Sequence, residues 1–142
     1  MTTVRHLLER KGRAIFSVGP NDQVLEAVRS MAEHHVGALL VMRGQELIGI
    51  LSERDYARKV ILMGRSSSET PVSQIMTTQV ITVSPDTTVE ACMRLMTERR
   101  IRHLPVIERG QVAGVISIGD LVKAVIEDQQ QAIEQLESYI HS

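Results

Sequence analysis

Apolar and polar positions along this chain follow two periods, helical and strand-like, and the periods return in the same order. Val4, Leu7 and Leu8 share one side of a helix expected over residues 4–10, which Gly12 breaks. Residues 14–18 have the length of a short strand, and Pro20-Asn21-Asp22 is a turn that can cap the next helix. From Gln23 to His35 the apolar positions Val24, Ala27, Val28, Met31 and Ala32 fall at steps of three and four, predicting an amphipathic helix. Gly37 to Met42 is a continuous apolar run of buried-strand length. Arg43-Gly44-Gln45-Glu46 then supplies a hairpin turn and Leu47 to Leu51 the returning strand. Ser52 opens a helix expected to reach about Met63, and residues 64–70 are small and polar, a linker by composition.

After the linker the order begins again. Val72 to Met76 reads as a helical turn, Val80 to Val83 as a strand and Ser84-Pro85-Asp86 as a turn. A helix follows from Thr87 to Arg100, with Thr87 and Glu90 placed as a capping box. His103 to Ile107 and Val112 to Ser117 are strands around a turn at Arg109-Gly110-Gln111, and a further helix follows. Without gaps, residues 18–61 align with 83–126 at 13 identities in 44 positions, among them Pro20/Pro85, Met31/Met96, Gly49/Gly114, Ser52/Ser117 and Asp55/Asp120. Agreement in length, element order and turn placement together marks an internal duplication of a β-α-β-β-α unit.

One such unit, at roughly 60 residues, buries only a marginal core. Two copies are therefore expected to pack face to face about a pseudo-twofold axis, leaving two equivalent clefts. The fold class expected is α+β, with repeat 1 over 1–63, the linker over 64–70, repeat 2 over 71–128 and a C-terminal helical extension over 129–142. Along that extension and the helix before it, Val122, Ile126, Gln129, Ile133, Leu136 and Ile140 recur in alternating steps of four and three. This narrow seam is expected to dock on a sister subunit in a homodimer.

Composition removes several function classes. A net charge of −1 argues against a nucleic-acid partner held by phosphate neutralisation. No apolar run approaches the roughly 18 residues of a membrane span, and the N-terminus lacks the apolar stretch of a signal peptide. The single cysteine forbids an intrachain disulfide and makes a reducing cytoplasm the expected compartment. Cys92 reads as a small buried side chain, and the seven methionines as core fillers in a chain with 2% aromatics. Adjacent His34 and His35 do not share a helix face, and no Cys or acid completes a metal site around them.

The chemistry gathers at two repeated stretches, Gly49-Ile50-Leu51-Ser52-Glu53-Arg54-Asp55 and Gly114-Val115-Ile116-Ser117-Ile118-Gly119-Asp120. Serine followed three residues later by an acid is first of all a helix N-cap. The same physics makes a nucleotide seat. Free N–H groups and a small hydroxyl at a helix start attract phosphate, while a nearby carboxylate can accept hydrogen bonds from two ribose hydroxyls. Gly49 and Gly114 would let a ligand approach the backbone closely. Neither serine is paired with a base, and no oxyanion or metal arrangement is identifiable, so no catalytic residue is assigned.

These two stretches, with Arg102-His103-Leu104-Pro105-Val106, resemble the CBS domain, a family named from cystathionine β-synthase and found as tandem pairs. The resemblance covers almost the whole chain. It implies a pseudo-symmetric module that dimerises and binds adenine nucleotides in its clefts. It further implies that Asp55 and Asp120 hold ribose hydroxyls and that Ser52 and Ser117 face phosphate. Gly37, Ala38 and Leu39, and likewise His103, Leu104 and Pro105, would line the base pocket. Repeat 1 has Leu40 where repeat 2 has Pro105, and Gly37 where repeat 2 has Arg102, so the two pockets are expected to differ. Arg54 and Arg58 beside Asp55 correspond to Gly119 and Lys123, which makes the first junction the more cationic and favours ADP, ATP or NAD(H) over AMP there. Arg102 and His103 are the members of the basic run 99–103 expected at the cleft, and Lys11 is a further candidate for reaching phosphate. The expected function is a non-catalytic adenine-nucleotide sensor, binding AMP, ADP, ATP or NAD(H) and signalling to a separate effector protein. The competing expectations are a dimerisation scaffold without ligand and, behind it, a nucleotide-processing enzyme.

Overall fold

The computed structural model describes residues 2–141 and divides into two compact units. One unit is the continuous segment Ile15–Ile81. The other joins residues 2–14 to residues 82–141. The helical segment that precedes each repeat in sequence is thus built into the unit of the other repeat, a division that the sequence segments 1–63 and 71–128 do not follow.

In the Ile15–Ile81 unit, β1 (Ser17–Val18) runs parallel to β2 (Ala38–Arg43), which pairs antiparallel with β3 (Glu46–Ser52). Helix α2 (Val24–His34) supplies Val24, Ala27 and Met31 to a core shared with Leu39, Val41, Leu51 and Val60. The imported segment, a 3-10 turn over Val72–Gln74, adds Val72 and Ile75 to that core. Its first amides are satisfied by the turn before α2. Val72 N–H donates to the Asp22 carbonyl at 2.8 Å and Ser73 N–H to Pro20 at 2.9 Å, while Val24 N–H donates to Thr70 at 2.9 Å.

The second unit repeats these bonds with α1 (Val4–Lys11). Val4 N–H donates to Thr87 and Arg5 N–H to Pro85, both at 2.9 Å, and Val89 N–H donates to Thr2 at 3.0 Å. Val4, Leu7 and Leu8 are buried, as Val72 and Ile75 are in the other unit. The orphan donors at the start of each imported helical segment therefore find partners in a proline-containing turn. Helix α4 (Val89–Arg99) and the hairpin of β4 (His103–Glu108) with β5 (Gln111–Ser117) complete this unit, followed by α5 (Ile118–His141). Both hairpins carry a register shift at the same point, between Val41 and Met42 and between Val106 and Ile107.

Three local expectations are corrected. The run Val80–Val83 forms no full strand; Val83 makes one parallel bridge to Val106. The cap of α4 is Thr88, whose hydroxyl accepts from Ala91 N–H at 3.1 Å, while Thr87 instead accepts from Ser84 N–H at 3.2 Å. The helix after Ser52 is only α3 (Glu53–Tyr56) before it widens into a π-turn over Ala57–Ile61, so the 3.6-residue spacing does not persist to Met63. Helix α5 runs without a break from Ile118 to His141, so the C-terminal extension continues the last helix of the repeat, and its Ile126, Ile133, Leu136 and Ile140 are exposed on this chain.

Candidate functional site

At the end of β3, Ser52 keeps extended backbone angles while Glu53 enters the helix, the geometry of an N-cap. The Ser52 hydroxyl accepts from Asp55 N–H at 3.1 Å, and the Asp55 carboxylate accepts from Ser52 N–H at 3.0 Å. Two orphan amides are satisfied reciprocally. Glu53 N–H donates to the Gly37 carbonyl at 3.0 Å, and Ala38 pairs with Ser52, so Gly37 and Ala38 lie beside the capped helix start.

The second junction follows the same rule. Asp120 N–H donates to the Ser117 hydroxyl at 3.2 Å and Ser117 N–H to Asp120 at 2.8 Å. Ile118 N–H donates to the Arg102 carbonyl at 2.9 Å, and His103 pairs with Ser117. Arg102, His103, Ser117, Ile118, Gly119 and Asp120 are therefore brought together by adjacent strand ends. At both helix starts Glu53, Asp55, Ile118 and Asp120 donate within the chain, so each cap is satisfied by its own unit.

Burial divides the predicted residues further. Leu39, Leu104 and Pro105 are buried, and Leu39 belongs to the core of its unit. Ser52, Arg54, Asp55, His103, Ser117, Ile118 and Asp120 are partly exposed, whereas Arg58, Arg102 and Gly119 are open to solvent. A recess of about 580 Å3 lies between Thr82–Ser84 and α4, with Arg94 and Glu98 at its wall, and none of the predicted residues lines it.

The close approach anticipated at the two glycines exists, but its occupant is the imported segment. A Cβ on Gly49 would lie 2.7 Å from Met76 Sδ and 3.1 Å from the Thr77 carbonyl oxygen. On Gly114 it would lie 2.7 Å from Leu8 Cδ2. Each glycine is thus required by packing within its own unit.

Both carboxylates also meet a lysine. Lys59 Nζ lies 3.3 Å from Asp55 and donates to the Ile75 carbonyl at 2.9 Å. Thr77 adds a long hydroxyl bond to Asp55 at 3.4 Å. Lys11 Nζ lies 2.6 Å from Asp120 and donates to the Val115 carbonyl at 2.7 Å. Lys59 is not among the residues expected from sequence, although its i+4 spacing from Asp55 is a legible helical ion pair. Lys11 reaches a carboxylate, and no sequence spacing signals that pairing.

Burial pushes the Asp120 carboxyl up, but Lys11 and the Ser117 bonds outweigh it and hold the group below the usual carboxylate range. Burial, reinforced by Lys11 and Arg102 against the opposing pull of Asp120, holds the His103 imidazole below its ordinary value. Burial also raises the Cys92 thiol to about 11, leaving it unreactive at neutral pH. His34 stacks on Phe16 with ring centroids 4.0 Å apart, and among the described residues no group of three His, Cys, Asp or Glu is placed to hold a metal.

This architecture is shared with known proteins. The family model of the CBS domain matches residues 4–61 and 72–127. The mitochondrial CBS domain-containing protein CBSX3 of Arabidopsis thaliana is 43% identical over 148 aligned residues, covering 98% of this chain and 72% of that protein. A proposed signal-transduction protein with CBS domains from Burkholderia ambifaria MC40-6 is 53% identical, with a TM-score of 0.87 over 90% of this chain and 96% of the other. A hexameric CBS-CP12 protein from bloom-forming cyanobacteria, 26% identical, superimposes with a TM-score of 0.77 over 99% of this chain and 88% of the other.

Proposed function

Since the chain belongs to the CBS-domain family, as a tandem pair of domains, we propose that it is a non-catalytic sensor of adenine nucleotides. AMP, ADP, ATP or NAD(H) would bind at the two strand-to-helix junctions, and the bound state would be read by a separate effector protein. One observation carries this reading: each junction presents a partly exposed carboxylate aimed by its own cap, with cationic side chains around it. The donor set suits a ribonucleotide. Asp55 and Asp120 can accept ribose hydroxyls, while Arg54 and Arg58 at one junction, and Arg102 and Lys11 at the other, can meet phosphate. The extra arginines favour a polyphosphate or dinucleotide at the first junction. A role in regulation agrees with the description of the Burkholderia relative.

Both serines are engaged as helix caps, Ser52 and Ser117 each accepting an amide of their own helix, and the carboxylate beside each is held in turn by the cap and by a lysine. Self-association belongs to the same reading. The exposed Ile126, Ile133, Leu136 and Ile140 of α5 form a stripe suited to a second copy, and the cyanobacterial relative is a hexamer. No helix among the described residues is long and apolar enough to cross a membrane. We assign the protein to a reducing cytoplasm, in keeping with its one buried thiol.

Isothermal titration tests the proposal directly. Saturable binding of at least one of the four ligands is expected, and Asp55→Asn and Asp120→Asn should each abolish or weaken one binding event by about tenfold or more, as loss of a charge-assisted hydrogen-bond acceptor does. Absence of binding at millimolar concentration would leave a dimerisation scaffold, and nucleotide turnover lost in Ser52→Ala would make the protein an enzyme.

A further inference from the structure

The lysines on the two carboxylates have a feature in common that the nucleotide reading does not use. Each ties the strand-to-helix junction to the imported helical segment of its unit. Lys11 belongs to the last turn of α1 and binds both Asp120 and the β5 carbonyl of Val115. Lys59 belongs to the junction helix and binds both Asp55 and the carbonyl of Ile75 in the segment after the linker. Repeat 2 has Ala124 where repeat 1 has Lys59, so the cation missing from its helix is supplied from α1. Two different residues thus arrive at the same connection.

We propose that Lys11 is the residue a ribonucleotide must displace at Asp120, and that its displacement transmits binding to α1. The inference rests on the nucleotide reading above and adds to it a specificity residue and an output. The Lys11 and Asp120 side chains are 38% and 24% exposed, and an ion pair open to water to this degree is weak. Two ribose hydroxyls donating to the same carboxylate replace it readily. The released ammonium stays at the mouth of the junction beside Arg102, where it favours a phosphorylated ligand over a neutral nucleoside. Val4, Leu7 and Leu8 remain packed, so loosening is confined to the end of α1, where Gly12 N–H closes the helix on the Leu8 carbonyl at 2.8 Å.

The test compares AMP with adenosine on the full chain and on Lys11→Met, with hydrogen exchange as a second readout. In the wild type, AMP should bind more tightly than adenosine, and ligand should speed exchange of the Lys11 and Gly12 amides. Lys11→Met should tighten adenosine and weaken AMP, each by roughly two- to fivefold, the size of a half-exposed ion pair. Its α1 end should exchange fast already and show no further change with ligand. If the wild type binds AMP but the affinity ratio survives the substitution, or exchange at the end of α1 ignores ligand, the displacement is wrong while the nucleotide reading stands. If the wild type binds neither compound, the displacement falls, and if it binds none of AMP, ADP, ATP and NAD(H), the nucleotide reading falls with it.

Discussion

The two strand-to-helix junctions carry the same cap and differ in the helix that follows it and in the source of the cation on its carboxylate. At the first, Ser52 and Asp55 start a four-residue helix that widens into a π-turn, and the cation on Asp55 comes from the same helix four residues on. At the second, Ser117 and Asp120 start a 24-residue helix, and the cation on Asp120 comes from 109 residues away. The cap is a local device, satisfied by bonds spanning three residues. The counter-ion is a tertiary one, and duplication preserved the need for it without preserving its source. Two copies of one motif therefore each carry a lysine on the carboxylate, one supplied by the junction helix itself and one by a distant helix.

That contrast is open to attack where the imported segments meet the glycines. Leu8→Ala removes a fully buried side chain over Gly114 and should cost about 2–5 kcal/mol in urea denaturation. Gly114→Ala should cost about 1–3 kcal/mol through overpacking, and the double variant should fall short of the sum, because the smaller Leu8→Ala side chain makes room for the new methyl. Additive losses would mean that the imported helix and the glycine are not in contact. Gly49→Ala should cost more than Gly114→Ala, since Met76 can swing aside but the Thr77 carbonyl, bonded to Ile50 N–H at 3.0 Å, cannot.

Removing the caps is expected to have a smaller effect. Ser52→Ala and Ser117→Ala should each cost about 0.5–2 kcal/mol. The loss should be greater at Ser52, whose hydroxyl also donates to Asp55 at 3.1 Å and whose helix is only one turn long. Equal losses would remove the distinction between a short and a long capped helix.

The smallest effect is a pH dependence expected of one unit alone. His103 corresponds to Ala38 in the other repeat, and its neighbours are Lys11 on α1, Asp120 on α5 and the adjacent Arg102. Its folded pKa is lowered, so the folded state binds the proton less readily than the unfolded chain. Its contribution to stability is complete above about pH 6.5 and is lost as pH falls through the lowered folded value. Asp120, also lowered, adds a loss in the same direction, below the ordinary carboxylate range near pH 4. Denaturation midpoints should therefore decline below pH 6.5, and His103→Ala should flatten the upper part of that decline. A profile unchanged by the substitution would remove His103 as its cause.

Much of the molecule is readable from the chain. Helical spacing locates α2 and the outline of α4, and the continuous apolar runs locate β2 and β4. The repeated Ser-x-x-Asp marks both caps, because a cap is written in residues three apart. The failures have a common physical source. The run Val80–Val83 has strand composition, but a strand exists only where a neighbour accepts its bonds, and Val83 alone finds one. The glycines are legible as close-approach positions, yet spacing gives no sign that Leu8 and Met76 are what approaches. Thr87 and Thr88 are both competent caps in sequence, and the backbone path after Pro85 selects the second.

By itself, then, the sequence determined the duplication, the order of elements and the serine–aspartate cap at each junction, all of which depend on interactions over a few residues. Only the tertiary structure decided that each imported helical segment packs in the unit of the other repeat, and that Lys11 and Lys59 hold equivalent carboxylates from unrelated positions. A lysine on a flexible four-carbon stem can serve any carboxylate within its reach. Which one it serves depends on where the backbone sets its Cα, and the burial of Val4, Leu7 and Leu8 against the second unit settles that for Lys11.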